Sequence, residues 1–401
     1  MTKLEELINE LCPNGVEYRV LNTICDVYDG THQTPQYTDS GVKFASVENI
    51  SDPYATEKYI SVSDYEKYKI KPQRNDLLMT RIGSIGVCTV IESDEPLAYY
   101  VSLALLRPNN DVLNSRYLKY AIESLHCRKE LRKRTLVNAV PIKINMGDIG
   151  KITLPVPPLQ VQSEIVRILD NFAELSAELS AELSAELSAR KKQYEHYTYQ
   201  LLSFSDVVTT KKLRDLVDFR NGKGHEKDIA NDGKYIVVNS KFISTNGEVK
   251  KYSNKQICPL YIDDILMVMS DLPNGRALAK CYLVTENDKY TLNQRIGAFH
   301  VKDESVIKTK FLLYVLNRNQ QLLRYDNGVD QTNLRKDDIL DIMIPLLSIE
   351  EQERIVAILD RFNILCNDIS EGLPAEIEGR RKQYEYYRDK LLAFKPYLNA
   401  N

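Results

Sequence analysis

The run Gln162-Ser163-Glu164-Ile165-Val166-Arg167-Ile168-Leu169-Asp170 returns 190 residues later as Gln352-Glu353-Arg354-Ile355-Val356-Ala357-Ile358-Leu359-Asp360. The match extends without a gap from 155–204 onto 345–394, with 22 of 50 positions identical. Its later part sets Arg190-Lys191-Lys192-Gln193-Tyr194-Glu195 against Arg380-Arg381-Lys382-Gln383-Tyr384-Glu385, and Leu201-Leu202-Ser203-Phe204 against Leu391-Leu392-Ala393-Phe394. Likeness at one fixed offset over such a stretch marks an internal duplication. Outside it the similarity thins. Asn75-Asp76-Leu77-Leu78-Met79 resembles Asp263-Asp264-Ile265-Leu266-Met267, and Asp148-Ile149 stands opposite Asp338-Ile339. A preserved scaffold therefore alternates with two diverged globular segments.

The first copy reads as one long helix. Pro157-Pro158 is tolerated only at a helix start, and apolar residues then recur at Ile165, Ile168, Leu169, Phe172, Leu175, Leu179, Leu183 and Leu187. Four tandem Ala-Glu-Leu-Ser copies fill the stretch between Ala173 and Ser188, and Ala, Leu and Glu are strong helix formers. A period of four against 3.6 residues per turn makes the Leu stripe drift by about 40° per copy. A helix over 160–204 would be on the order of 65 Å long. The array reads either as spacer filler or as a face seeking a partner, and the duplicate at 350–394 is the obvious one. Packed antiparallel, the two would hold the globular segments at opposite ends. Glu371-Gly372-Leu373-Pro374 should break the second copy, and Gly379 weakens it further, so two helices with a joint are expected there.

At 401 residues, 43% apolar and 27% charged, the chain has room for two or three ordinary globular domains. No stretch approaches the roughly 20 apolar residues of a membrane span, and the start at Met1-Thr2-Lys3-Leu4 is not a secretory leader, so a cytoplasmic location is expected. The seven Cys form no CxxC pair or His/Cys cluster, which points to reduced thiols and no metal site. The net charge of −3 argues against a nucleic-acid binder. It does not exclude one that reads bases locally while partners supply the positive field.

The segments 12–154 and 206–344 mix turn signals with short β-like runs at Leu77–Thr80, 87–91, 98–106, Tyr235–Val238 and 265–269, plus short helices at 117–123 and 311–316. The fold class expected is α+β: two α+β domains, each with a curved sheet, separated by two long, roughly antiparallel helical regions with pseudo-two-fold symmetry. The divisions are 1–11, 12–154, 155–205, 206–344 and 345–401. There is no phosphate-binding loop and no HExxH. Asp52-Pro53-Tyr54 shares part of an amino-methyltransferase signature but lacks its second Pro and any Gly-rich cofactor loop. No catalytic residue is nominated. The remaining candidates suit DNA. Arg132, Lys133 and Arg134 end a basic run that leads into the polar loop 138–145, with Lys143 and Asn145. The matching place in the second segment, 327–336, offers Gln331, Asn333 and Arg335. Thr31, His32, Gln33, Thr34, Arg81, Ser84, Lys223, His225, Asn274 and Arg276 complete the loop candidates. Amide and guanidinium side chains are those that read base edges bidentately, although any single one of the candidates, taken alone, is more often a plain surface residue than a base contact.

Together, Leu11-Cys12-Pro13-Asn14-Gly15-Val16-Glu17-Tyr18, the run at 155–162 with its partner at 345–352, the two Lys-Gln-Tyr-Glu helices and the Ala-Glu-Leu-Ser array resemble the specificity subunit of Type I restriction-modification systems, over nearly the whole chain. The resemblance implies two target-recognition domains that read an asymmetric, split site on double-stranded DNA. It implies helices that dock two modification (methyltransferase) subunits, and it admits restriction subunits. S-adenosylmethionine, ATP and magnesium would belong to those partners, and this chain would hold no cofactor. Helix 4–11 would close the chain against its C-terminal helices. Each Ala-Glu-Leu-Ser copy would add roughly 6 Å of helix to a ruler between half-sites. The alternative is a coiled-coil adaptor that binds protein only, which the net charge favours.

Overall fold

The computed structural model of the chain describes residues 2–33, 35–203, 208–225, 227–272, 277–326, 328–367 and 372–397. It forms two compact units, one made of the residues up to Ser184 with those from Glu376 onward, the other Ala185–Ala375.

In the first unit, Thr2 and Glu5 cap helix Lys3–Leu11 reciprocally, satisfying amides that a helix start leaves open. Leu4 joins a core that also holds Ile165, Leu169 and Leu392. Val16 accepts from Tyr397 and donates to the Lys395 carbonyl, so the N-terminal segment does lie against the C-terminal one. Strand Tyr18–Val20 pairs antiparallel with Thr153–Pro155. Between them stand two four-stranded sheets. One runs Cys25–Asp29, Leu103–Pro108, Leu77–Thr80, Cys88–Val90, all antiparallel. The other runs Tyr37–Thr38, Tyr59–Ile60, Val42–Ala45, Leu97–Tyr99, its last pair parallel. Every residue of Leu77–Thr80 is buried, because both faces of that strand are covered. It therefore reads as a continuous apolar run and not an alternating one.

The second unit repeats this plan in order. Val217–Asn221, Ile296–Val301, Ile265–Val268 and Cys281–Leu283 form one sheet, and Ile229–Ala230, Tyr252–Ser253, Tyr235–Val238 and Tyr290–Leu292 the other. Tyr235–Val238 and Tyr290–Leu292 again pair in parallel. The duplication thus reaches through the segments whose sequences diverge. Two expectations are corrected. Each domain is built on two separate four-stranded sheets, not one curved sheet. The run 98–106 is two strands, Leu97–Tyr99 and Leu103–Pro108, one in each sheet, joined by a turn at 100–102 that carries neither Gly nor Pro.

The duplicated motif owes its strength to what it fastens. Gln162 is fully buried; its Oε1 accepts the Asn114 N–H at 2.8 Å, and its Nε2 donates to the carbonyls of Val112 and Pro157 at 2.8 and 2.7 Å. Gln352 does the same with Lys308 N–H, Val306 O and Leu347 O at 2.8, 3.1 and 3.0 Å. Two turns on, Asp170 accepts from Tyr120 and Arg116, each at 2.6 Å, and Asp360 from Tyr314 and Lys310 at 2.6 and 2.7 Å. Two such residues pin each helix to its own α+β domain, and a buried polar group is tolerated only when satisfied in this way. A third repeated feature changes its donor. Asp76 pairs with Arg107 from Leu103–Pro108, whereas the equivalent Asp264 pairs with Arg220 from Val217–Asn221, and His300 fills the place of Arg107.

Helix Leu159–Leu202 is continuous over 44 residues. In the first unit, Phe172 packs on Tyr384 and Tyr387 of helix Leu373–Leu391. In the second, Tyr194 and Tyr197 stack on Phe362, while Arg190 and Lys191 lie near Cys366, which makes that pairing with helix Ile349–Asn367 antiparallel. The second copy is two helices, as Gly372 and Pro374 require. The drifting Leu stripe is visible as burial: Leu175 is 62% exposed and Leu183 only 8%.

Candidate DNA interface

In the first unit three loops converge at one end of the two sheets. The first leaves strand Cys25–Asp29 at Gly30. A Cβ there would lie 2.4 Å from the Tyr100 carbonyl oxygen, so only glycine permits the crossing. Thr31 then bridges Tyr100. The second follows Leu77–Thr80, turning through Gly83 and Gly86 at positive φ. The third, 135–145, follows helix Leu125–Arg134, and its Lys143 bridges both Leu136 and Ile82. Gly83 donates to the Ile142 carbonyl at 2.9 Å.

Arg81 ties these loops together. It is 7% exposed, and its guanidinium donates to Asp29 Oδ1 at 2.7 Å, Val101 O at 3.1 Å and Ile144 O at 3.3 Å. Asp29 also accepts from His32 at 2.9 Å. A charge-assisted fork of this kind fixes geometry as well as energy.

The second unit builds the same corner from other residues. Gly222 crosses against Asn293, whose carbonyl oxygen would lie 2.0 Å from a Cβ, and Lys223 bridges Asn293. Ser270–Asp271 pairs with Thr332–Asn333. Met269 takes the place of Arg81, with Leu334 donating to its carbonyl as Ile144 does to that of Arg81. Asp271 accepts from Ala277 and Leu278 N–H.

The candidates from sequence sort accordingly. Thr31, Gln33, Ser84, Lys143 and Asn145 lie at the first corner, and Lys223, Gln331, Asn333 and Arg335 at the second. All of these but the half-buried Thr31 are exposed. Gln331 also donates to Ser270 Oγ at 2.8 Å. Two candidates are corrected. Arg81 is consumed by Asp29, and His225 is 1% exposed, its ring held by Lys223 O and Thr291 Oγ1 at 2.8 Å each. Both hold loops in place through these bonds. His32 is exposed but bonded to Asp29. In the basic run, Lys133 and Arg134 both pair with Glu130, while Lys129 and Arg132 are exposed and have no ion pair among the described residues. Thr34, Asn274 and Arg276 lie outside the described residues. Sequence reading missed Gln36 and Lys69, which line a cleft of about 500 Å³ with Gly30, Thr31 and Gln33. Lys69 belongs to a different turn, so no local signal joins it to the loop.

Asp52-Pro53-Tyr54 is structural. Asp52 accepts from Tyr54 N–H to start a short 3₁₀ turn, and the Tyr54 hydroxyl donates to the carbonyls of Ser93 and Glu95. Burial pushes the thiols of Cys25 and Cys127 up to about 12. All seven cysteines are free. Among the described residues no group of three or more His, Cys, Asp and Glu could hold a metal ion, and no helix is long and apolar enough to cross a membrane.

The chain belongs to the family described as the Type I restriction modification DNA specificity domain, which it matches twice, over residues 13–189 and 205–379. It therefore contains two DNA specificity domains, which are the two α+β domains above. It is 34% identical over 275 residues to the specificity subunit of Type I restriction enzyme EcoR124I/EcoR124II of Escherichia coli, covering 63% of this chain and 65% of that protein. It is 32% identical over 251 residues to a putative type I specificity subunit of Mycoplasma pneumoniae, covering 60% of this chain and 93% of the other. Among solved structures, a chain from work on complex assembly and conformational transition of the type I R-M system superposes with a TM-score of 0.63 at 14% identity, over 95% of this chain and 98% of that one. The HsdS subunit from Thermoanaerobacter tengcongensis gives 0.51 at 14%, over 95% and 96%. At such identity these two speak for the fold alone.

Proposed function

We propose that the chain gives a Type I restriction-modification complex its sequence specificity, each unit reading one half of an asymmetric, bipartite site on duplex DNA. The observation that carries this is the repeated loop corner. One backbone plan, with a glycine crossing and a bridged turn, presents Thr31, Gln33, Ser84 and Lys143 in one unit and Lys223, Gln331, Asn333 and Arg335 in the other. Two like frames with different side chains suit two unlike half-sites, because base edges are distinguished by donor and acceptor pattern. The chain itself performs no chemistry in this reading. Two methyltransferase subunits dock on the helical regions and bring S-adenosylmethionine; restriction subunits, where present, bring ATP and magnesium. The complex acts in the cytoplasm.

The test is a genome-wide map of adenine methylation in cells expressing the modification subunits with and without the chain. A split motif with a fixed gap should appear only with the chain, and exchanging 12–154 for that of a relative should change one block only. Chain-independent methylation by active partners would refute the proposal and leave the protein-only adaptor.

A further inference from the structure

The two units treat their lysines differently. Between Thr31 and Lys69 the chain has four Lys and six Asp or Glu; the corresponding stretch of the second unit, Lys223 to Lys255, has seven Lys and four Asp or Glu. In the first unit Lys43, Lys58 and Lys67 are each held by a carboxylate, from Glu95, Glu48 and Asp64. Within the second stretch, among the described residues, only Lys255 is, by Asp228 at 2.8 Å. Lys223, Lys227, Lys234, Lys241, Lys250 and Lys251 are exposed and have no ion pair among the described residues.

Four of them share a place. Lys223 bridges Asn293, whose N–H donates to the Val238 carbonyl. Lys241 lies in helix Ser240–Ser244, directly after that strand. The Lys251 carbonyl accepts the Val237 N–H at 2.8 Å, which sets Lys250 one residue further on. Lys223, Lys241, Lys250 and Lys251 therefore surround the end of strand Tyr235–Val238 at which the second reading corner sits. Paired surface charges largely cancel at a distance, whereas unpaired charges of one sign add to a field.

We infer that this lysine ring is the complex's main phosphate grip within the chain, and that the second unit supplies most of the salt-dependent affinity while the first contributes mainly base reading. This would also reconcile a net charge of −3 with a polyanionic ligand, since the positive charge is local. The inference rests on the DNA-reading proposal above.

Each phosphate contact contributes about 0.9 to the slope of log affinity against log salt. Full-length chain, co-purified with its methyltransferase subunits, is titrated onto fluorescent duplex carrying the mapped site at several salt concentrations. The triple variant Lys241→Gln, Lys250→Gln, Lys251→Gln should lower the slope by about 2 to 3, with roughly eightfold weaker binding per lysine at 0.1 M salt relative to 1 M. The methylated motif should be unchanged. Removing the same charge at Lys191, Lys192 and Lys382 on the helices should leave the slope nearly unaltered. If the wild type binds with a steep slope and the lysine-ring variant keeps it, the inference is wrong while the DNA-reading proposal stands. If the wild-type complex shows no salt-dependent duplex binding, both fall.

Discussion

Replacing Gln162 with Leu tests whether the repeated motif is a fastening. Leu fills similar space but cannot bond, so the Asn114 N–H and the carbonyls of Val112 and Pro157 lose partners now at 2.7 to 2.8 Å. A buried group left unsatisfied costs about 1–3 kcal/mol. The two carbonyls can recover part of that through their second lone pairs, and the buried Leu returns about 1 to 2 kcal/mol. The net expected loss is about 3 kcal/mol, equivalent to about two decades in an equilibrium. Hydrogen–deuterium exchange followed by mass spectrometry reads this locally. Peptides spanning 109–118 should exchange roughly a hundredfold faster in Gln162→Leu, while peptides spanning 303–312 stay as in the wild type; Gln352→Leu should reverse the pattern. If both peptides kept their protection in both variants, Gln162 and Gln352 would be spectators and the physical account of the duplication would fail.

Arg81→Met copies the second unit's Met269 into the first. It removes the fork on Asp29, Val101 and Ile144, costing about 1–3 kcal/mol, and methylome sequencing should show the first unit's block of the motif becoming degenerate while the other stays sharp. Gly222→Ala drives a Cβ into the Asn293 backbone, so soluble yield and the thermal midpoint of the second unit should fall, with the first unit's exchange pattern unaffected. Arg167, with Lys3, holds the Glu164 carboxyl down to about 2 from 4.5. A depressed carboxylate stabilises fully above its unfolded value and loses that contribution as pH falls. Wild-type urea midpoints should therefore drop between pH 4.5 and 2 more steeply than those of Glu164→Gln. Deleting one Ala-Glu-Leu-Ser copy removes about 6 Å of helix, at most about two base pairs of reach; the gap in the methylated motif should shorten and both half-sites should remain.

The duplication, a long helix over 160–204, the break before Leu373 and the strands Leu77–Thr80 and Tyr235–Val238 were all legible along the chain, and the helix forms over Leu159–Leu202. Each of these is a local matter of period, of helix-forming residues, or of a strand buried on both faces. The two-residue strands Tyr37–Thr38 and Tyr59–Ile60 are too short to carry a period. The break between Leu97–Tyr99 and Leu103–Pro108 exists because the chain changes sheets there, which no turn residue announces. The site was legible as a set of loops but not as a set of roles. Arg81 and Asp29 lie 52 residues apart, and His225 and Thr291 are separated by 66. Only the tertiary structure could decide that these charged and polar side chains face inward to hold the corner, because burial and pairing belong to residues that the fold, and not the chain order, brings together.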